Sequence, residues 1–338
     1  MLPTIIKVAG IFGVVMTLVP MLVYAERRIS ARIQNRFGPI MVGPLGLLQP
    51  LADMLKFVFK EDFVPSTSEK ILYRLAPVMA FMPAAFALAA IPFAAMVNFP
   101  DGTVSRLVIF DADVGILFVL AATTLGVHGL SIAGWSSNNK YSQMGGVRAS
   151  AQLISYEAPM FIALLSVLMT AGTTNFFSIV DNQVEHGWMF WRQPLAFIIF
   201  FVCAFAETNR APFDMPEAEP ELVGGYHTEY GGMRFALFFL GEYIAMVNQC
   251  AIITLVFLGG WLIPGTDWHT LLGGWMGAII FFTKVLVLLL FMIQVRWTLP
   301  RFRYDQLMTL GWKRLTPLAM LNLAGTAILG VLCVCGKK

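Results

Sequence analysis

The sequence predicts an all-α polytopic membrane protein, with about eight transmembrane helices and one amphipathic helix on the cytoplasmic side. Three observations predict it. Of 338 residues, 58% are hydrophobic and only 13% charged, whereas a soluble domain carries roughly a quarter charged residues. The apolar stretches repeatedly exceed the ~20 residues needed to cross a bilayer. Lys and Arg gather on alternate connections, as the positive-inside rule requires.

The elements follow in order. Residues 3–25 form the first apolar run. It is too long for a cleavable signal and lacks the basic start and small-residue exit of one. It ends in Glu26-Arg27-Arg28, with Arg32 and Arg36 beyond. Residues 45–60 set Leu48, Leu51, Leu55, Val58 and Phe59 on one helical face, and Gln49, Asp53, Lys56 and Lys60 on the other. Such a helix lies on a membrane surface or against a partner. Further spans are expected at 71–97, 108–133, 149–172, 191–208, 233–261, 272–296 and 315–335. Internal Pro and Gly are tolerated there when neighbouring helices satisfy the freed backbone groups.

If the first span ends in the cytoplasm, most of the 23 Lys and Arg fall on cytoplasmic segments. The far side keeps Lys7, Arg106, Arg192, Lys337 and Lys338, and Lys284 lies within a span. Both termini are then expected outside, and the 205–232 connection inside.

That connection is the chain's densest polar stretch. It holds six of the twenty acidic residues: Glu207, Asp214, Glu217, Glu219, Glu221 and Glu229. Pro212, Pro216 and Pro220 prevent a continuous helix. A solvated acidic loop is the bland reading. Carboxylates in such numbers beside a bilayer otherwise require water, cations or function to hold them. Nearby, Glu157, Glu207 and Glu242 fall on the cytoplasmic halves of the fourth to sixth spans, and Lys284 in the seventh. Two readings stand: a buried ion pair, such as Lys284 with a glutamate, or a hydrated chain of proton-accepting groups. Asp111 and Asp113 read as structural, and His128, His186, His227 and His269 do not cluster as metal ligands. The Met-rich faces read as packing.

Other classes are disfavoured. The four cysteines form no CxxC pair, so an iron–sulfur or zinc site is not expected. No GxGxxG or GxxxxGK loop suggests a nucleotide site. A net charge of +3 gives no reason to expect nucleic acid. No internal repeat of the secondary-transporter kind is visible.

The order of residues in the loop is specific. Glu207-Thr-Asn-Arg-Ala-Pro-Phe-Asp214, followed by Glu217-Ala-Glu219-Pro-Glu221-Leu-Val, resembles the signature loop of the quinone-site membrane subunit, the H subunit, of respiratory complex I, the bacterial NADH:quinone oxidoreductase. Glu26-Arg27-Arg28 and Gly38-Pro39 through Lys56 resemble the same subunit's first cytoplasmic segment. So do Gly134-Trp135 through Tyr141, Gln152 through Glu157, Glu229-Tyr230, Glu242-Tyr243 and Pro300-Arg301-Phe-Arg303-Tyr304-Asp305-Gln306 within their own segments. The resemblance covers about residues 20–315 in register. Ile40, Pro220 and Gly241 stand where the family usually has Asn, Ser and Ala; none removes a charge.

The resemblance implies a subunit that helps form a quinone chamber, with no complete active site of its own. Glu26, Arg27, Arg36, Asp53 and Arg301 would line or brace that chamber. Glu157, Glu207, Glu217, Glu219, Glu221, Glu229, Glu242 and Lys284 would form the proton-coupling set. Quinone is the substrate; FMN and the iron–sulfur clusters belong to partner subunits. The implied partners are the peripheral-arm quinone-site subunits, small membrane-arm subunits and lipid. The implied location is the bacterial cytoplasmic membrane, with both termini periplasmic. Two alternatives are the homologous membrane subunit of an energy-converting hydrogenase and a stand-alone ion transporter; a third is a purely structural anchor for the peripheral arm.

Overall fold

A computed structural model describes residues 2–98, 104–216, 219–263 and 274–335. The chain is almost entirely helical. Helix α1 (Leu2–Ile33) outruns its apolar stretch and carries Glu26, Arg27 and Arg28 within the helix. A single 3-10 turn (Pro44–Gly46) leads to α2 (Gln49–Phe59).

Helix α3 (Lys70–Ala90) stops well short of residue 97. Ile91 is extended, as a residue preceding proline tends to be, and Pro92 has no N–H to continue the ladder. The remaining apolar residues pair instead as a small antiparallel hairpin of β1 (Ala94–Asn98) and β2 (Val104–Leu107), with an irregular step between Ala94 and Val97. Helix α4 (Gly115–Ser136) therefore begins later than residue 108. Helix α5 (Lys140–Ala171) is longer than foreseen, because Asn139 caps it by accepting from the Tyr141 N–H. It ends at Gly172 in the left-handed conformation.

Helix α6 (Phe176–His186), which the apolar pattern did not announce, is capped by Asn175. The run at 191–208 breaks at Gln193 into α7 (Met189–Arg192) and α8 (Pro194–Glu207), since Pro194 suits a helix start. Helix α9 (Glu219–Leu222) and a 3-10 turn (Gly225–His227) shape the acidic loop. Helices α10 (Gly232–Phe257), α11 (Trp275–Thr298), α12 (Tyr304–Thr309) and α13 (Thr316–Cys335) complete the chain, with a π-helical turn at Leu310–Leu315.

Among the described residues, six helices are long and apolar enough to cross a membrane: α1 from Lys7, α3, α4, α5, α10 and α11. The chain is a multi-pass membrane protein. Helix α8 is apolar but has only 14 residues. Helix α4 packs between α3 and α5, and α10 lies against α3. Gly129 lets α4 touch α3: a Cβ there would stand 2.5 Å from the Ala80 nitrogen.

The two ends of the bundle differ. At one end the hairpin meets α11, where Trp275 donates to the Asn98 carbonyl, and α6 meets the end of α10, where Gln183 accepts from the Gly259 N–H. At the other end the acidic loop is tied into the helix termini. Ser142 donates to the Tyr226 carbonyl and Asn139 to Glu229 at 2.6 Å, while Tyr156 of α5 donates to the Leu307 carbonyl of α12.

Candidate functional site beneath the acidic loop

The first part of the loop is not solvated. Thr208, Asn209, Arg210 and Asp214 are all buried. Asn209 takes a left-handed conformation just after α8, which Asn tolerates better than most side chains. Buried Gln152 of α5 holds the turn, its amide nitrogen reaching the Ala206 carbonyl at 2.8 Å, the Phe213 carbonyl at 2.7 Å and Asn209 Oδ1 at 3.2 Å. The loop thus folds back into the bundle and delivers Arg210 to its interior.

Arg210 meets carboxylates from two helices. Its guanidinium lies 3.4 Å from both Glu26 oxygens on α1 and 4.0 Å from Glu242 on α10. The side chains of Arg210, Glu26 and Glu242 are only 6%, 8% and 11% exposed, so this charge cluster is removed from bulk water. Arg296 of α11 also pairs with Glu26. Tyr243 donates to Glu26 at 2.7 Å, and its ring lies under the Arg210 guanidinium at 4.3 Å. Tyr226 from the loop donates to Glu242 at 2.9 Å. Burial alone disfavours the charge on Arg210; the neighbouring Tyr243, Glu26 and Glu242 outweigh it and raise its pKa.

Beside this cluster lies a cavity of about 80 Å³ lined by Glu157, Glu207 and Glu242, with Thr123, Thr124 and Asn209. Glu157 accepts from Thr124, and Glu207 and Thr123 face the same cavity. At ~10–15 Å³ of this measure per water, there is room for several waters among the three carboxylates. The fourth, fifth and sixth apolar segments are thus brought to one point.

The other expected site residues divide. Arg27 pairs with Asp53 at 2.6 Å, tying α1 to α2. Arg301 pairs with buried Asp214 at 2.8 Å. Arg36 is exposed and bonds Gln34 within its own turn. Glu221 pairs with Arg148 at 2.5 Å, and Glu229 braces Asn139; both lie outside the cavity lining. Glu217 lies outside the described residues, and Glu219 is placed by its backbone in α9.

Lys284 pairs with no glutamate among the described residues. Its ammonium donates to the carbonyls of Leu258, Gly260 and Leu262 at 2.6–3.0 Å and lies 5.1 Å from the Trp188 ring. It caps the end of α10 opposite to Glu242, where a cation favours the helix dipole.

Arg210, Arg296, Tyr243, Tyr226 and Asp214 were not among the expected site residues. A clue was present: Arg210 is the lone cation in the densest acidic stretch.

Buried carboxylates tied to arginines, an internal polar cavity and a membrane-spanning helical body define a polytopic membrane protein built around charge. The family model for NADH dehydrogenase matches residues 6–327. The H subunit of NADH-quinone oxidoreductase from Protochlamydia amoebophila is 50% identical over 304 residues, covering 90% of each chain. One of the H subunits of Geobacter metallireducens is 50% identical over 321 residues, 95% of this chain and 94% of its own. One from Cytophaga hutchinsonii is 44% identical over 323 residues, 94% of each. The chain belongs to the NADH dehydrogenase family, as a subunit of NADH-quinone oxidoreductase.

Proposed function

We propose that this chain builds the quinone chamber of a proton-pumping NADH:quinone oxidoreductase and couples quinone reduction to proton translocation. The observation that supports this best is the continuity between loop and membrane interior. Asp214 and Arg210, a few residues beyond Glu207 in the same loop, meet Arg301, Glu26 and Glu242. Glu242 in turn opens into the cavity it shares with Glu157 and Glu207.

Reducing a quinone to quinol takes up two electrons and two protons. Electrons arrive from FMN and iron–sulfur clusters held by partner subunits. Arg27, Asp53 and the Asp214–Arg301 pair, with Glu26 and Arg36, face the reaction at the α1–α2 and α11–α12 end. A change of charge there alters the proton occupancy of coupled carboxylates nearby. The pair Arg210–Glu26 conveys the change to Glu242, and the hydrated cavity extends it to Glu157 and Glu207. Loop residues Glu221 and Glu229 stand nearer the surface, and Glu217 and Glu219 join them in the acidic set by their place in the sequence. Lys284 holds the far end of α10.

In this reading α8 and α13 join the six long helices as spans. The loop end faces the cytoplasm of a bacterium, where peripheral-arm subunits dock, and both termini are periplasmic. A photoreactive short-chain quinone bound to the assembled complex is expected to label residues 26–62 or 205–216 of this chain, and excess quinone to suppress it. Labelling confined to other subunits contradicts the chamber.

A further inference from the structure

Ala84 of α3 and Ala245 of α10 are among the residues that line the acidic cavity. One turn further along α10 come Asn248 and Gln249, both buried. Asn248 donates to the carbonyl of Ala84 at 2.8 Å, the backbone of a cavity residue, while its own Oδ1 has no partner among the described residues. Gln249 stands about two helical turns beyond Glu242 on the same face of the helix. Neither its amide nitrogen nor its amide oxygen has a partner among the described residues.

An amide left without partners inside a membrane protein is costly, and native proteins meet such groups with internal water. Polar side chains in this setting are retained at sites where they serve a function. An apolar core had no need of two amides here; Leu or Met would fill the same space at no desolvation cost.

We propose that Asn248 and Gln249 form a polar floor that holds ordered water and extends the carboxylate cavity a further turn into the membrane. They are positioning residues. Neither takes up a proton; their three free polar atoms orient water below Glu242, so that a proton leaving or reaching that carboxylate finds a bonded partner. This rests on the proton-coupling reading of Glu157, Glu207 and Glu242.

The test uses the assembled complex. A density map fine enough to show water is expected to place water against Gln249 and Asn248 Oδ1 in the wild type. Gln249→Leu removes both polar atoms at similar volume, and is expected to slow proton translocation coupled to quinone reduction about tenfold. NADH oxidation by an artificial acceptor upstream is expected to be unchanged. Gln249→Glu, which keeps the length and two polar atoms at the tip, is expected to restore most of the coupled rate. No water at the floor, a partner-subunit side chain filling it, or a Gln249→Leu complex that pumps at the wild-type rate overturns the proposal. If Gln249→Leu does not assemble, the wild-type map decides alone. Normal pumping in both Glu207→Gln and Gln249→Leu means the acidic chain itself has failed; normal pumping in Gln249→Leu alone means only the floor has.

Discussion

At Arg210, one guanidinium serves two carboxylates and one aromatic ring in a site nearly closed to water. Removing it leaves Arg296 as the cation paired with Glu26 and takes the nearby arginine from Glu242. Breaking a buried ion pair from one side costs ~3–5 kcal/mol, because a charge is left without compensation. Arg210→Met is therefore expected to lose most assembled complex, read as the yield of intact enzyme and its thermal inactivation. Arg210→Lys keeps the charge but not the planar fork, and is expected to fall between. The sign of the pH dependence follows from the raised pKa of Arg210. The stabilisation is fully present below the ordinary arginine value and is lost only as pH climbs through the raised one. Stability contributed by this residue should thus be flat between about pH 6 and 9; a titration of inactivation rate against pH in wild type and Arg210→Lys checks it. Asp214 is likewise buried against Arg301, and Arg301→Ala is expected to slow quinone reduction while leaving the artificial-acceptor reaction intact. These charges were all visible in the sequence. Their pairing was not, because Glu26, Arg210 and Arg296 are far apart along the chain and only the folded loop brings them together.

Helix α2 covers only Gln49–Phe59 of the helix expected at 45–60, with Leu48 and Lys60 just outside it, and its Leu51, Leu55, Val58 and Phe59 are exposed. The helix is held instead by Asp53 pairing with Arg27 and by Phe57 against Phe235 of α10, rings 5.8 Å apart. An exposed apolar strip at the loop end of a membrane protein suits lipid, a quinone tail or a partner. Leu55→Glu is expected to weaken quinone turnover or assembly, and wild-type values for both would contradict that role. Two steric signals stood in the sequence but were passed over: Pro92 ends the run expected at 71–97 and Pro194 splits the one expected at 191–208. Periodicity could not reveal α6, whose Asn175 cap and buried Phe176, Phe177, Ile179 and Val180 pack against partners distant in sequence. Nor could it reveal how tightly α5 meets the loop. A Cβ on Gly145 would stand 2.6 Å from the Tyr226 nitrogen. Gly145→Ala is expected to push the loop away, disturb the Tyr226–Glu242 bond and lower both assembly and quinone turnover.

At the scale of the whole molecule, helices from separate parts of the chain converge on one acidic interior. Glu157 comes from α5, Glu207 from the end of α8 and Glu242 from α10, and all three line one cavity beneath a loop that itself carries acids and one arginine, Arg210. Hydropathy and charge placement made the membrane class and this group of carboxylates legible. Lys284 was legible as a cation within a span, but its partners are backbone carbonyls, which no side-chain pattern announces. The central claim is that the cavity carboxylates exchange protons in step with quinone reduction. Gln keeps the size of Glu and most of its hydrogen bonding while removing the transferable proton. The most direct measurement is proton translocation and quinone reduction by the assembled complex carrying Glu207→Gln, with NADH oxidation by an artificial acceptor as control. Both coupled rates are predicted to fall together while the control stays at the wild-type level. A fully assembled Glu207→Gln complex that reduces quinone and pumps protons as the wild type does would contradict the account.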